Sequence, residues 1–162
     1  MNTGIENIFI CRHAEYDAKT GKLTSVGIGQ AKTLVENIAS RLPDGTNVYI
    51  GSSTALRSRE EAGYISEGLG GIVVEELPTI TESDNGHERI LTTNEQMELM
   101  YKFQELAEKD IGTIILVGHE SSAKNLAYLG NVFCGIDVAA KEVLGHAECM
   151  HMTKNGAKVE YF

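Results

Sequence analysis

Short continuous apolar runs alternate along this chain with stretches in which apolar residues recur every three or four positions. Runs of the first kind predict buried strands, and the second spacing predicts helices with one buried side. The first run, Ile8-Phe9-Ile10-Cys11, stops at Arg12-His13 and is followed by Ala14 and Glu15. Such a run fits an interior strand of a mainly parallel sheet. Residues 16–22 are polar and contain Gly21, so they read as a loop. Thr24 or Ser25 can then accept hydrogen bonds from the first amides of a helix. Its buried stripe comprises Ile28, Ala31, Leu34, Val35, Ile38, Ala39 and Leu42, ending at Pro43-Asp44-Gly45. Residues 47–51 predict a second strand, Ser52-Ser53-Thr54 follow its carboxyl end, and 55–68 predict a second helix bearing Arg57.

The second half continues this alternation. Ile72-Val73-Val74-Glu75 is β-branched enough for a third strand, and 77–91 reads as the longest irregular loop. Thr93 with Gln96 forms a capping box for a helix reaching about residue 109, with Met97, Met100, Tyr101, Phe103 and Leu106 as its apolar side. Residues 113–118 make the most strand-like run and end at His119-Glu120-Ser121-Ser122. A helix is predicted from Ser121 or Ser122 to about 130, and a short helical piece over 136–141. Residues 146–153 and 157–162 predict two strands joined at Asn155-Gly156, one of them an antiparallel edge.

Composition narrows the class. With 162 residues, 42% hydrophobic and 23% charged, the chain is expected to form one globular domain over 1–162. A formal charge of -9 with only 14 basic residues excludes a broad cationic face for nucleic acid or an anionic membrane. An anionic ligand must therefore be held by a few local cations. Three cysteines at unrelated spacings, and a start at Met1-Asn2-Thr3-Gly4 without a signal pattern, predict a reduced, cytoplasmic protein. No run approaches the length of a membrane span.

Candidate chemistry gathers at strand ends. Two strands finish in His13 and His119, and another finishes in a serine-rich turn feeding the helix that carries Arg57. Ligands of open α/β sheets sit beyond the carboxyl ends of the strands. If these ends are neighbours, two histidines and two arginines, Arg12 and Arg57, surround one point near helix amino termini. Phosphate suits that point, because arginine matches its oxygens with paired charge-assisted hydrogen bonds. Other residues read as structural. A cysteine phosphatase loop carries its arginine six positions after the cysteine, where this chain has Asp17, so Cys11 reads as a small buried side chain. His146 and His151 lack the spacing of a metal pair, and no metal or organic cofactor is implied. Arg59 is read as the partner of a glutamate, and His87 as a surface residue.

Arg12-His13-Ala14-Glu15, Leu23-Thr24-x-x-Gly27-x-x-Gln30-Ala31, Ser52-Ser53-x-x-x-Arg57-Ser58-x-x-x-Ala62 and Val117-Gly118-His119 occur in this order. Together they resemble the histidine phosphatase superfamily. The resemblance implies a phosphoglycerate mutase-like α/β fold, a three-layer α/β/α sandwich whose mainly parallel sheet has an antiparallel edge strand. It also implies that His13 attacks phosphorus and forms a covalent phosphohistidine that water releases. Arg12, Arg57 and His119 would bind the phosphoryl oxygens. Ile80-x-Glu82-x-x-x-Gly86 resembles the pattern that supplies the family's proton donor, which makes Glu82 the first candidate, ahead of Glu15 and Asp84.

Three positions depart from the family pattern. Ala14 stands for a glycine, Glu61 for a threonine, and Lys19 roughly where an asparagine is often found. The short stretch 62–113 leaves little chain for a lid, and an open site favours hydrolysis over mutase transfer. Size and sparse covering resemble the small branch that contains phosphohistidine phosphatases. The expected partner is a phosphorylated small molecule or a phosphohistidine protein, with oligomeric state unassigned. Mutase-type transfer and a non-catalytic phosphate- or protein-binding role are the alternatives.

Overall fold

The computed structural model describes residues 4–81 and 90–162. In chain order the elements are β1 (Asn7–Arg12), α1 (Ser25–Ala39), β2 (Val48–Ser52), α2 (Leu56–Gly68), β3 (Val74–Glu76), α3 (Thr93–Glu108), β4 (Thr113–Gly118), α4 (Ser122–Leu126), β5 (Cys149–Thr153) and β6 (Lys158–Tyr161). They build one six-stranded sheet in the order β3-β2-β4-β1-β5-β6. β1, β2, β3 and β4 pair in parallel, while β5 runs antiparallel to both β1 and β6.

The continuous apolar runs arise because the central strands are covered on both faces. Successive side chains point to opposite sides, so each strand serves two cores. Phe9, Cys11, Ile50, Ile115 and Val117 pack with Leu34 and Ile38 of α1 and Ala62 and Ile65 of α2. Ile8, Ile10, Tyr49, Ile114 and Leu116 pack with Leu99 and Phe103 of α3 and Leu126 of α4. The result is a sheet between two helical layers. Each fully buried Ile, Leu or Phe contributes about 1.5–3 kcal/mol, so these central strands are the rigid base of the molecule.

Five local expectations are corrected. The capping box on α3 is Thr92 with Glu95, one residue earlier than Thr93 with Gln96. The Thr92 amide donates to Glu95 Oε2 at 2.8 Å, and the Glu95 amide donates to Thr92 Oγ1 at 3.2 Å. Both pairs fit the motif, but a carboxylate gains more than an amide from the positive helix amino terminus. The inner stripe of α3 is Leu99, Phe103 and Ala107, three to four residues apart, and Met97 and Tyr101 are exposed. Residues 136–141 form no helix. α4 ends at Leu126, a π-helical turn spans Gly130–Cys134, and Gly135 closes it at φ 67°. Beyond it Ile136, Val138 and Ala140 turn inward at every second residue, an extended period rather than a helical one. Finally, β5 begins at Cys149 instead of 146, which leaves His146 in the preceding turn.

Candidate active site

Strand register brings the polar ends together. Arg12 is paired with Gly118 across β1 and β4, so His13 and His119 emerge side by side. Ser52 of β2 is paired with Val117, which puts Ser53 beside the same point. Backbone bonds extend this alignment beyond the strands: the His13 amide donates to Gly118 O at 3.1 Å and the Ser53 amide to Val117 O at 2.9 Å. α2 starts immediately after the Ser53 turn and carries Arg57 in its first turn.

The structure therefore brings Arg12, His13, Arg57 and His119 to one place. The His13 ring is buried, with Nδ1 2.9 Å from the Ala14 carbonyl oxygen. A carbonyl only accepts, so Nδ1 carries the proton and Nε2 keeps its lone pair. Arg57 Nε donates to that Nε2 at 3.1 Å. The rings of His13 and His119 lie 5.4 Å apart at 71°. His119 Nε2 and Ser53 Oγ are 2.9 Å apart, and the His119 amide donates to Ser122 Oγ at 2.7 Å. Arg12 Nη1 donates to Leu144 O at 2.8 Å, and Arg12 Nη2 lies 3.9 Å from Glu120.

Burial and nearby cations keep the ring neutral. Burial pushes the His13 pKa down to about 3, aided by Arg57, His119 and Arg12 and opposed by the Ala14 carbonyl. A neutral imidazole with an unprotonated Nε2, ringed by cationic and N–H donors, has the chemistry to attack an electrophile, and the donors around it have the chemistry to hold an anion. Tyr16 completes one wall. Its ring stands edge-on to His13 at 5.0 Å and lies under the Arg57 guanidinium at 4.4 Å.

The close approaches explain the glycines of the motifs. A Cβ on Gly27 would lie 1.9 Å from the Glu15 carbonyl oxygen, and one on Gly118 would lie 2.1 Å from Ser122 Oγ. Thus α1 and the His119 turn approach the site as closely as they do because these positions lack side chains.

Of the candidate proton donors, Glu15 is held at the start of α1, where the Thr24 hydroxyl donates to its Oε1 at 2.8 Å. Glu82 and Asp84 lie outside the described residues, as does His87. Arg59 pairs with Glu76 at 3.2 Å, as its reading anticipated. Glu61, one of the three departures from the expected pattern, is fully buried, and no hydrogen bond of ordinary geometry reaches its oxygens among the described residues. Burial pushes its carboxyl pKa well up, against a smaller pull from the Ala14 backbone. No group of side chains suited to a metal ion occurs among the described residues. No helix among them is long and apolar enough to cross a membrane.

Sequence reasoning missed Ser53 as a partner of His119, Tyr16 as a wall and His146 as a neighbour, its ring 5.9 Å from His13. For Ser53 a signal existed, since it directly follows a strand end. Tyr16 and His146 sit in turns whose path no periodicity encodes. Beside the His119 turn lies a cleft of about 450 Å³ lined in part by Ser121, Lys124 and Asn125.

The sequence matches the histidine phosphatase superfamily (branch 1) over residues 8–144. The chain belongs to this superfamily. Solved structures with the same fold include a mycobacterial glucosyl-3-phosphoglycerate phosphatase complexed with VO3, at 18% identity and TM-score 0.64, covering 97% of each chain. The protein histidine phosphatase SixA complexed with tungstate matches at 14% identity and TM-score 0.59, covering 96% of this chain and 94% of its own. An Entamoeba histolytica phosphoserine phosphatase mutant in complex with phosphoserine matches at 16% identity and TM-score 0.58, with coverage of 96% and 94%. No curated protein sequence matches the chain.

Proposed function

We propose that this protein is a metal-independent phosphatase that hydrolyses a phosphomonoester or a protein phosphohistidine through a covalent intermediate on His13. One observation carries this reading. The Nδ1 proton of His13 is committed to Ala14 O, so Nε2 carries no proton and its lone pair accepts only the hydrogen bond from Arg57 Nε. On substrate binding, the Arg57 hydrogen bond transfers from Nε2 to a phosphoryl oxygen. Nε2 attacks phosphorus in line and the new N–P bond forms as the bond from phosphorus to the leaving atom breaks, P–O in a phosphomonoester or P–N in a phosphohistidine, and that leaving oxygen or ring nitrogen takes a proton from an acid.

Arg12, Arg57 and His119 hold the equatorial oxygens, stabilising charge in a largely positional reaction. Glu82 is the proposed acid, with Glu15 and Asp84 ranked behind it. Water then attacks the phosphohistidine from the side the leaving group vacated. The acid, now a base, takes the water proton, the N–P bond breaks, and inorganic phosphate departs. Hydrolysis is favoured over mutase transfer by the exposed rim at His146 and Glu120, which admits water.

The three structural neighbours are named as a glucosyl-3-phosphoglycerate phosphatase, a protein histidine phosphatase and a phosphoserine phosphatase, which suggests a first substrate panel. The test is phosphate release from an aryl phosphate, in the presence of a chelator, by wild type and His13→Ala. Turnover that survives the chelator and falls by roughly 10³-fold or more in the variant is expected. Equal rates in both proteins, or none from folded wild type with any panel member, would overturn the proposal.

A further inference from the structure

His146 lies outside every motif described above, yet the fold holds it at the rim of the site. Three backbone-anchored bonds pin its segment there. The Leu144 amide donates to Glu120 O at 2.7 Å, Leu144 O accepts from Arg12 Nη1 at 2.8 Å, and the Ala147 amide donates to His13 O at 3.2 Å. Each bond ties residues 144–147 to a residue that flanks or forms the anion site. Ala147 has φ 55°, a left-handed conformation unfavourable for alanine. Such strain persists where the surroundings over-determine it. The consequence is a ring 5.9 Å from that of His13, tilted 39° to it, with its edge in solvent.

We propose that His146 is a further ligand of the substrate's phosphoryl oxygens, and that it takes up a proton when the dianion binds. This rests on the phosphatase reading of the site. The groups facing the His146 ring are the Arg12 guanidinium, the Glu15 and Glu120 carboxylates and the neutral His13 ring. In the empty site, burial and Arg12 hold the His146 pKa below the ordinary histidine value, with Glu15 and Glu120 opposing. The ring is therefore mainly neutral near pH 7. A dianion placed against His13 introduces two negative charges a few ångströms away, which favours the imidazolium.

His13 cannot serve this purpose, because protonation would remove the lone pair that attacks. His119 is fully buried and engaged with Ser53. His146, exposed and held beside both arginine and carboxylates, can gain and lose the proton with each cycle. It thereby offsets the incoming charge in a protein whose formal charge is already -9. By linkage, the ligand that raises its pKa binds more tightly as pH falls through the bound-state pKa toward the lower pKa of the empty site.

The test is calorimetric titration with tungstate, a dianion across the neutral range, at pH 6.5 and 8.5, in two buffers of different ionisation enthalpy. Wild type and His146→Asn are compared; asparagine retains an N–H donor but cannot titrate. The expected result is net proton uptake by wild type at pH 6.5 and roughly five- to tenfold tighter binding there than at pH 8.5. Both effects should be lost in His146→Asn, with circular dichroism unchanged. Equal proton uptake by both proteins, or tungstate binding by wild type without uptake, would overturn the assignment while leaving the phosphatase reading intact. Failure of wild type to bind tungstate at all would overturn the anion site itself, and this inference with it.

Discussion

The depressed basicity of His13 has a measurable cost in acid. The ring is 2% exposed and its pKa is pushed down to about 3 by burial, with Arg57, His119 and Arg12 adding to the effect. In the unfolded chain an ordinary histidine titrates near 6.5. Between these values the unfolded state binds more protons, so stability is fully present above about pH 6.5 and declines as pH falls toward about 3. The slope approaches about 1.4 kcal/mol per pH unit, so moving from pH 7.5 to 5.0 removes about 2 kcal/mol on account of His13. His13→Asn cannot titrate and escapes this loss. Urea unfolding followed by circular dichroism, in phosphate-free buffer because a bound anion would mask the effect, gives both stabilities at both pH values. The difference between variant and wild type should shift by about 2 kcal/mol in the variant's favour at pH 5.0. An unchanged difference would refute the claim that His13 is held neutral by its surroundings.

Three further substitutions probe separate parts of the account. Gly27→Ala forces a Cβ to within 1.9 Å of the Glu15 carbonyl, backbone that cannot give way, and should cost roughly 2–4 kcal/mol in thermal or urea unfolding. A near-neutral result would mean that α1 does not approach the Glu15 turn closely. Glu61→Gln removes a buried carboxyl whose pKa is raised by burial. Such a group contributes its stability below about pH 4.5 and loses it as pH rises, so the variant's relative stability should increase with pH in urea titrations. A relative stability that instead falls with pH would show that the carboxylate is stabilised in the fold. Arg57→Ala removes the donor at His13 Nε2 and should lower kcat by about 10²–10³-fold with the fold retained, whereas a kcat within a few-fold of wild type would remove Arg57 from the anion site.

Much of the site was legible because its elements have strong local signals. The apolar runs ending at Arg12-His13 and Gly118-His119 are β1 and β4, and their parallel register makes the two histidines neighbours. Arg57 follows because the turn after β2 leads directly into α2. The errors arose where competing local choices were close in energy. Thr92 and Thr93 each begin a valid capping box, and only the carboxylate of Glu95 separates them. Residues 136–141 contain enough helix formers to suggest a helix, but Ile136, Val138 and Ala140 bury themselves at alternate positions along an extended path. The Asn155-Gly156 turn signals a hairpin but not where its first strand begins; the position of His146 depends on backbone bonds to Glu120, Arg12 and His13 that span long sequence separations. Tertiary bonds of this kind leave no periodic trace in a single sequence.

The central claim is that phosphate passes through His13. Turnover of an excess of aryl phosphate, quenched rapidly in alkali and followed by peptide mass spectrometry, tests it directly. The account predicts one phosphoryl group on the peptide containing His13, stable to alkali, lost on brief acid treatment and absent from His13→Ala. A protein that releases phosphate at full rate, carries no phosphoryl group under these conditions and retains activity in the variant would contradict it.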